Sequence, residues 1–187
     1  MSHLDFFSDD KLLFLRYLIK ENQIKNSDGL GRTAIMKLIF LLQEGKGLPV
    51  GYDFRLYSYG PYDSEVLQDL EFLRNFGFLT EETVHEERYQ WKKYYPSESK
   101  SEIDENSSLL NGNKGEIDNL IEKYGNKKSR ELELFATTLF VMKEKRGCDT
   151  DADSIKKIVS EIKPKYNEVE INQAYSTMIA EFSAVCN

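Results

Sequence analysis

Between Phe54 and Trp91 the apolar pattern switches from alternation to a helical period and back again. Phe54-Arg55-Leu56-Tyr57-Ser58-Tyr59 alternates and is rich in aromatics, as a half-buried strand is. Gly60-Pro61 is expected to end that strand, because proline has no N–H to give a ladder. Asp63 or Ser64 then offers a cap, and Val66, Leu70 and Leu73, with Leu67 beside them, form one helical stripe. Gly77 supplies the left-handed residue that closes many helices. Phe78-Leu79 returns to the core. Thr83 to Tyr95 is predicted to form two strands around a turn near Glu86-Glu87, with Tyr89, Trp91 and Tyr94 as packing residues.

A helix, a glycine stop, an apolar pair and a hairpin, in that order, make the second half of a winged-helix-like unit. That scaffold usually reads DNA with the helix. The helix in question carries Asp63, Glu65, Asp69 and Glu71 against Arg74. Each carboxylate there opposes a phosphate backbone, where a lysine or arginine would release a counterion. The net charge of −7 acts in the same direction at long range. The pattern therefore predicts the scaffold and argues against its commonest use.

The remaining elements follow from the same periodicities. Ser8-Asp9-Asp10 offers caps to a helix with Leu12, Leu15, Leu18 and Ile19 on one side, ending near Asn22. Asn26-Ser27-Asp28-Gly29 is a turn. A second helix from about Thr33 buries Ile35, Leu38, Ile39 and Leu42, and Gly45, Gly47 and Pro49 stop it. Residues 1–95 are thus expected to form the winged-helix-like domain. Residues 96–115 are rich in serine and lack periodicity, which predicts a linker or mobile loop. Residues 116–187 read as a helical bundle packed on the first unit. Its stripes run through Ile117, Leu120 and Ile121, through Leu132, Phe135 and Leu139, through Ile155, Ile158 and Val159, and through Ala174, Met178 and Phe182. The expected fold class is mainly α with a small β-sheet.

A chain of 187 residues suits one domain or two small ones sharing a core. No apolar run is long enough for a membrane span, and no secretory signal is read at the N-terminus. Cys148 and Cys186 are far apart, so a reduced, cytoplasmic setting is expected. Catalytic signatures are weak. Gly29-Leu30-Gly31-Arg32 is too short for a phosphate loop and follows no strand. His85-Glu86-Glu87-Arg88 lacks the second histidine of a zinc motif. His3 and His85 are poorly placed to serve a nucleophile, and Asp9-Asp10, Glu81-Glu82 and Glu86-Glu87 read as solvated surface. No catalytic residue, metal ligand or cofactor is assigned, and the chain is expected not to be an enzyme.

Thr33-Ala34-Ile35-Met36-Lys37-Leu38-Ile39-Phe40, then the strand from Phe54, then Gly60-Pro61-Tyr62, then a helix ending in Gly77-Phe78-Leu79, resembles the bacterial YwgA-like proteins. Leu132-Glu133-Leu134-Phe135-Ala136-Thr137 and Lys163-Pro164-Lys165-Tyr166 fit the same pattern. More distantly the chain is similar to the Panacea antitoxin domain, known from the proteolytic adaptor SocA. Where Panacea domains carry Trp-x-x-Gly-Pro-Val, this chain has Tyr57, Gly60, Pro61 and Tyr62. The resemblance implies a winged-helix-like protein that acts by contacting other macromolecules.

Two readings follow. In the first the chain is a non-enzymatic adaptor or antitoxin-like regulator that binds another protein, a toxin or a defence-system component, through Arg55, Tyr57, Tyr59 and Tyr62. Aromatics and arginine are the residue types that anchor interfaces. The last helix could also pair with a second copy in a homodimer. In the alternative, a DNA-binding regulator uses Arg32 and Lys37 with Lys92 and Lys93 of the wing, within a basic set on the first two helices that includes Arg16 and Lys46.

Overall fold

The computed structural model describes residues 9–86, 89–98, 107–145 and 151–186, and it is mainly α with a small antiparallel sheet. Helix α1 (Asp10–Asn26) is capped by Asp9, whose carboxylate accepts from the Lys11 and Leu12 amides. It continues about one turn past the expected stop at Asn22, until Ser27 closes it at φ 54°. Strand β1 (Leu30–Gly31) leads directly into α2 (Arg32–Phe40), which runs on through a π-helical turn, Leu41–Gly45. In that turn Gln43 fixes the next loop. Its Oε1 accepts from the Gly51 and Tyr52 amides and its Nε2 donates to the Tyr52 carbonyl.

Strands β2 (Arg55–Tyr57) and β3 (Gly60–Tyr62) form a tight antiparallel hairpin. The expectation that Gly60-Pro61 ends the strand is therefore corrected: these residues begin its partner. Pro61 lies opposite Leu56. Alternate pairs of an antiparallel ladder exchange no hydrogen bonds, and proline fits such a pair without loss. Gly60, at φ 86°, supplies the left-handed residue after the turn at Ser58-Tyr59.

Helix α3 (Ser64–Asn75) is capped by Asp63, which accepts from the Glu65 amide. Gly77, at φ 73°, closes it as expected. Its N–H bonds the Arg74 carbonyl, and the Phe78 N–H bonds that of Leu73. Strands β4 (Leu79–Glu86) and β5 (Tyr89–Pro96) make a hairpin that starts earlier than predicted, since Leu79 already pairs with Pro96. Strand β1 adds to β5, giving the order β1-β5-β4. Glu87 of the predicted turn lies outside the described residues.

The predicted linker is corrected in part. Leu109 and Leu110 are buried, the Ser107 hydroxyl accepts from the Leu110 amide, and Ser108 bonds the Asp10 carboxylate. Two leucines inserted into the core hold 107–113 in place, while 99–106 lie outside the described residues. Helices α4 (Lys114–Tyr124), α5 (Ser129–Glu144), α6 (Ala152–Ile162) and α7 (Glu168–Cys186) complete the chain.

Every residue from Leu132 to Leu139 is buried, so α5 runs through the centre with α7, α6, α2 and β3 around it. One apolar cluster joins Leu15, Ile39 and Val66 of the first half to Leu120, Leu139 and Met178 of the second. Burial of each such side chain stabilises by about 1.5–3 kcal/mol. No helix among the described residues is long and apolar enough to cross a membrane.

Candidate functional site

A helix that is apolar on all sides is an interior helix, and α5 carries Glu133 within its interior run. An isolated carboxylate there would be very costly. Glu133 is 3% exposed and both its oxygens are engaged: Oε1 accepts from Lys163 Nζ at 2.8 Å and Oε2 from Lys165 Nζ at 2.9 Å. Burial pushes its carboxyl pKa up, but the hydrogen bonds and charges of the two lysines outweigh that and hold it below the usual range. Lys163 is itself buried and also donates to the Ser58 carbonyl of the β2–β3 turn. Lys37 reaches the same hairpin from α2. Its Nζ donates to the Pro61 carbonyl at 2.6 Å, and burial pushes the ammonium pKa down to about 8, with Glu133 opposing the shift and Lys163 adding to it.

The hairpin is thus held from beneath by two buried ammonium groups on separate elements. Lys163 and Lys165 pair with the single carboxylate of Glu133, whose charge also acts on Lys37. Gly60 lies against α5, where a Cβ would stand 2.9 Å from Thr137 Oγ1. That hydroxyl is buried without a hydrogen-bond partner.

Above the lysines a pocket of about 370 Å³ opens between the hairpin, α2 and α3. Tyr57, Tyr59 and Tyr62 wall it, and Met36 and Leu67 give it an apolar side. Arg32, Thr33 and Lys37 supply polar groups, and among the described residues no carboxylate lines it. Tyr57 packs edge-on against Tyr62, with ring centres 5.4 Å apart. Tyr57 and Tyr59 remain 59% and 69% exposed. Lys165 Nζ lies 5.5 Å from the centre of the Tyr59 ring. Arg32 is oriented by Tyr94 Oη at 2.8 Å and by Glu71 at 2.7 Å.

The structure brings Tyr57, Tyr59 and Tyr62 together around this pocket, and it adds Arg32 and Lys37 from the alternative, nucleic-acid set. Arg55 stands apart: it is exposed and pairs with Asp53. Lys92 pairs with Glu81 and Lys93 with Asp28, both away from the hairpin. The placing of Lys37 and Arg16 in a basic set open to nucleic acid is corrected, because each is only 2% exposed. Both sit on the inward side of helices covered by the second half of the chain. Glu133, Lys163 and Thr137 had no assigned role in the sequence reading. The available signal was a charged residue inside the apolar run Leu132-Glu133-Leu134-Phe135, which requires a buried counter-charge.

No family model matches the chain. The chain is 27% identical over 158 residues to the uncharacterized protein YwgA of Bacillus subtilis (strain 168), covering 84% of this chain and 89% of that one. The match is longer than either half of the fold. The YwgA-like resemblance read from the motifs is therefore supported as similarity over most of the length.

Proposed function

We propose that the chain is a non-enzymatic adaptor or antitoxin-like regulator that binds another protein stoichiometrically, with the β2–β3 hairpin as its contact surface. The observation that carries this reading is the pair Tyr57 and Tyr59, large aromatics left exposed on a hairpin that two buried lysines hold still. Rigid aromatic anchors bind well because little conformational entropy remains to be lost. Residues 10–96 run as helix, short strand, helix, the β2–β3 hairpin, a further helix and a hairpin whose second strand takes up the first strand, an order that supports a winged-helix-like reading with one inserted hairpin. The distant Panacea resemblance adds the class of partner, a toxin or a defence-system component.

The test is affinity purification from the native host with mass spectrometry, comparing the natural chain with the double variant Tyr57→Ala, Tyr59→Ala. Loss of at least about 2 kcal/mol of partner affinity is expected, with an unchanged circular dichroism spectrum. The same partners captured at the same strength by both proteins would refute the reading. The DNA-binding alternative gains no specific support. Arg32, Lys92 and Lys93 each face a carboxylate, Lys37 is interior, and α3 presents Glu65 and Glu71 outward.

A further inference from the structure

Among the described residues, the pocket is lined by one cation, Lys37, that makes no ion pair of its own. The other lining cation, Arg32, is paired with Glu71, and no acidic residue among the described residues lines the pocket. Among the described residues the one hydrogen-bond acceptor of Lys37 is a neutral carbonyl, that of Pro61. An ammonium has three donors, so others remain for a ligand. Glu133, the carboxylate whose charge acts on Lys37, already serves Lys163 and Lys165 with both oxygens. A desolvated cation without its own counter-ion is stabilised strongly by an arriving anion, because the surrounding dielectric is low.

The pocket also limits the shape of what can enter. Its volume of about 370 Å³ is at the small end for ligand sites, and Lys37 is only 2% exposed. A thin group inserted end-on between the tyrosines can reach it, and a folded surface cannot. Met36, Leu67 and the tyrosine rings provide an apolar wall beside the charge. One end of a polypeptide combines these requirements: a carboxylate next to one side chain, with the main chain leaving through the mouth. Capture of a chain terminus is an established mode of peptide recognition.

We propose that this pocket receives the C-terminal carboxylate of the partner protein, with Lys37 facing the charge, Arg32 beside it held by Glu71, and the last side chain against Met36, Leu67 and the tyrosines. The proposal rests on the protein-binding reading above and narrows it to one end of the partner.

The test is titration calorimetry of the full chain with pools of N-acetylated hexapeptides. Their last residue is fixed as Leu, Phe or Val and the other positions are randomised. Each pool is prepared as the free acid, as the C-terminal amide, and as the amide with a glutamate at the penultimate position. At least one free-acid pool is expected to bind, with its amide and its glutamate-containing amide both weaker by roughly tenfold to a hundredfold, the value of one charge-assisted hydrogen bond. Lys37→Met should weaken the free acid to the level of the amide. If that variant fails to fold, the Lys37 side-chain NMR signal of the natural protein should shift with free acid and not with amide. Equal binding of acid and amide overturns the proposal, as does a glutamate amide that matches the free acid, or no binding by any free-acid pool. Tyrosine-dependent partner capture together with such a result would leave the adaptor reading intact and remove only the carboxylate.

Discussion

The two hairpins of this protein are held in opposite ways. The β4–β5 hairpin has a long ladder of its own, from Leu79–Pro96 to Glu86–Tyr89, and cross-strand ion pairs such as Lys92–Glu81. The β2–β3 hairpin has three residue pairs. A ladder that short is marginal alone, and its place is set by Lys37, Lys163, Glu133 and the close approach of Gly60 to α5. One hairpin is secured by its own pairing, the other by the interior beneath it. The difference teaches that the hairpin with exposed aromatics is positioned by the whole fold.

Glu133→Ala should break this contrast most severely. It leaves Lys163 buried without its carboxylate, and loss of one partner of a buried pair costs about 3–5 kcal/mol. Equilibrium urea unfolding should show a loss in that range, with β4–β5 amides keeping their relative protection and β2–β3 amides losing theirs in hydrogen exchange.

The next effect concerns pH. Lys37 has a folded pKa of about 8 against an ordinary value of 10.5. Between these values the unfolded chain holds the proton and the folded chain does not, so raising the pH favours folding. The penalty of burying the charged form is complete below pH 8 and is relieved as the pH rises towards 10.5. The stability of the natural chain minus that of Lys37→Met should therefore increase by about 3 kcal/mol across that window. Taking the difference cancels other groups that titrate alike in both proteins. A flat difference would show that Lys37 is not desolvated.

Two glycines give a finer comparison. Gly60 and Gly77 both have positive φ, but a Cβ at Gly60 meets Thr137 while one at Gly77 meets nothing within 4 Å. Gly77→Ala should cost about 1 kcal/mol, the conformational term alone. Gly60→Ala should cost about 1–3 kcal/mol more from overpacking. Equal losses in thermal unfolding would mean that the hairpin does not press on α5. The smallest effect is expected at the surface: Arg55→Ala should change stability by less than about 1 kcal/mol in thermal unfolding, because its pair with Asp53 is exposed on both sides.

The sequence carries the helices well because their stripes are local. Val66, Leu70 and Leu73 mark α3, and Gly77 marks its end. Pro61 was harder to read. A proline after an alternating run signals termination, and only the register against Leu56 shows that its missing N–H is never needed. The tyrosine wall was legible from composition around Tyr57, Tyr59 and Tyr62, because aromatics cluster in adjacent positions. The lysine floor was not. Lys37, Glu133 and Lys163 are distant in sequence and meet only through tertiary packing, and a lysine on a helix gives no local sign of pointing inward. The short leucine pair Leu109-Leu110 was likewise lost in a serine-rich stretch, since two apolar residues make no period.

The anchoring of Ser58 by Lys163, which is 105 positions further along the chain, has a consequence for portability. A fragment ended at Pro96 would keep its β4–β5 hairpin and lose the grip on its tyrosine loop. The tyrosine hairpin cannot be transplanted by cutting at the obvious boundary, and any shortened version must bring α5 and the segment following α6 along with it.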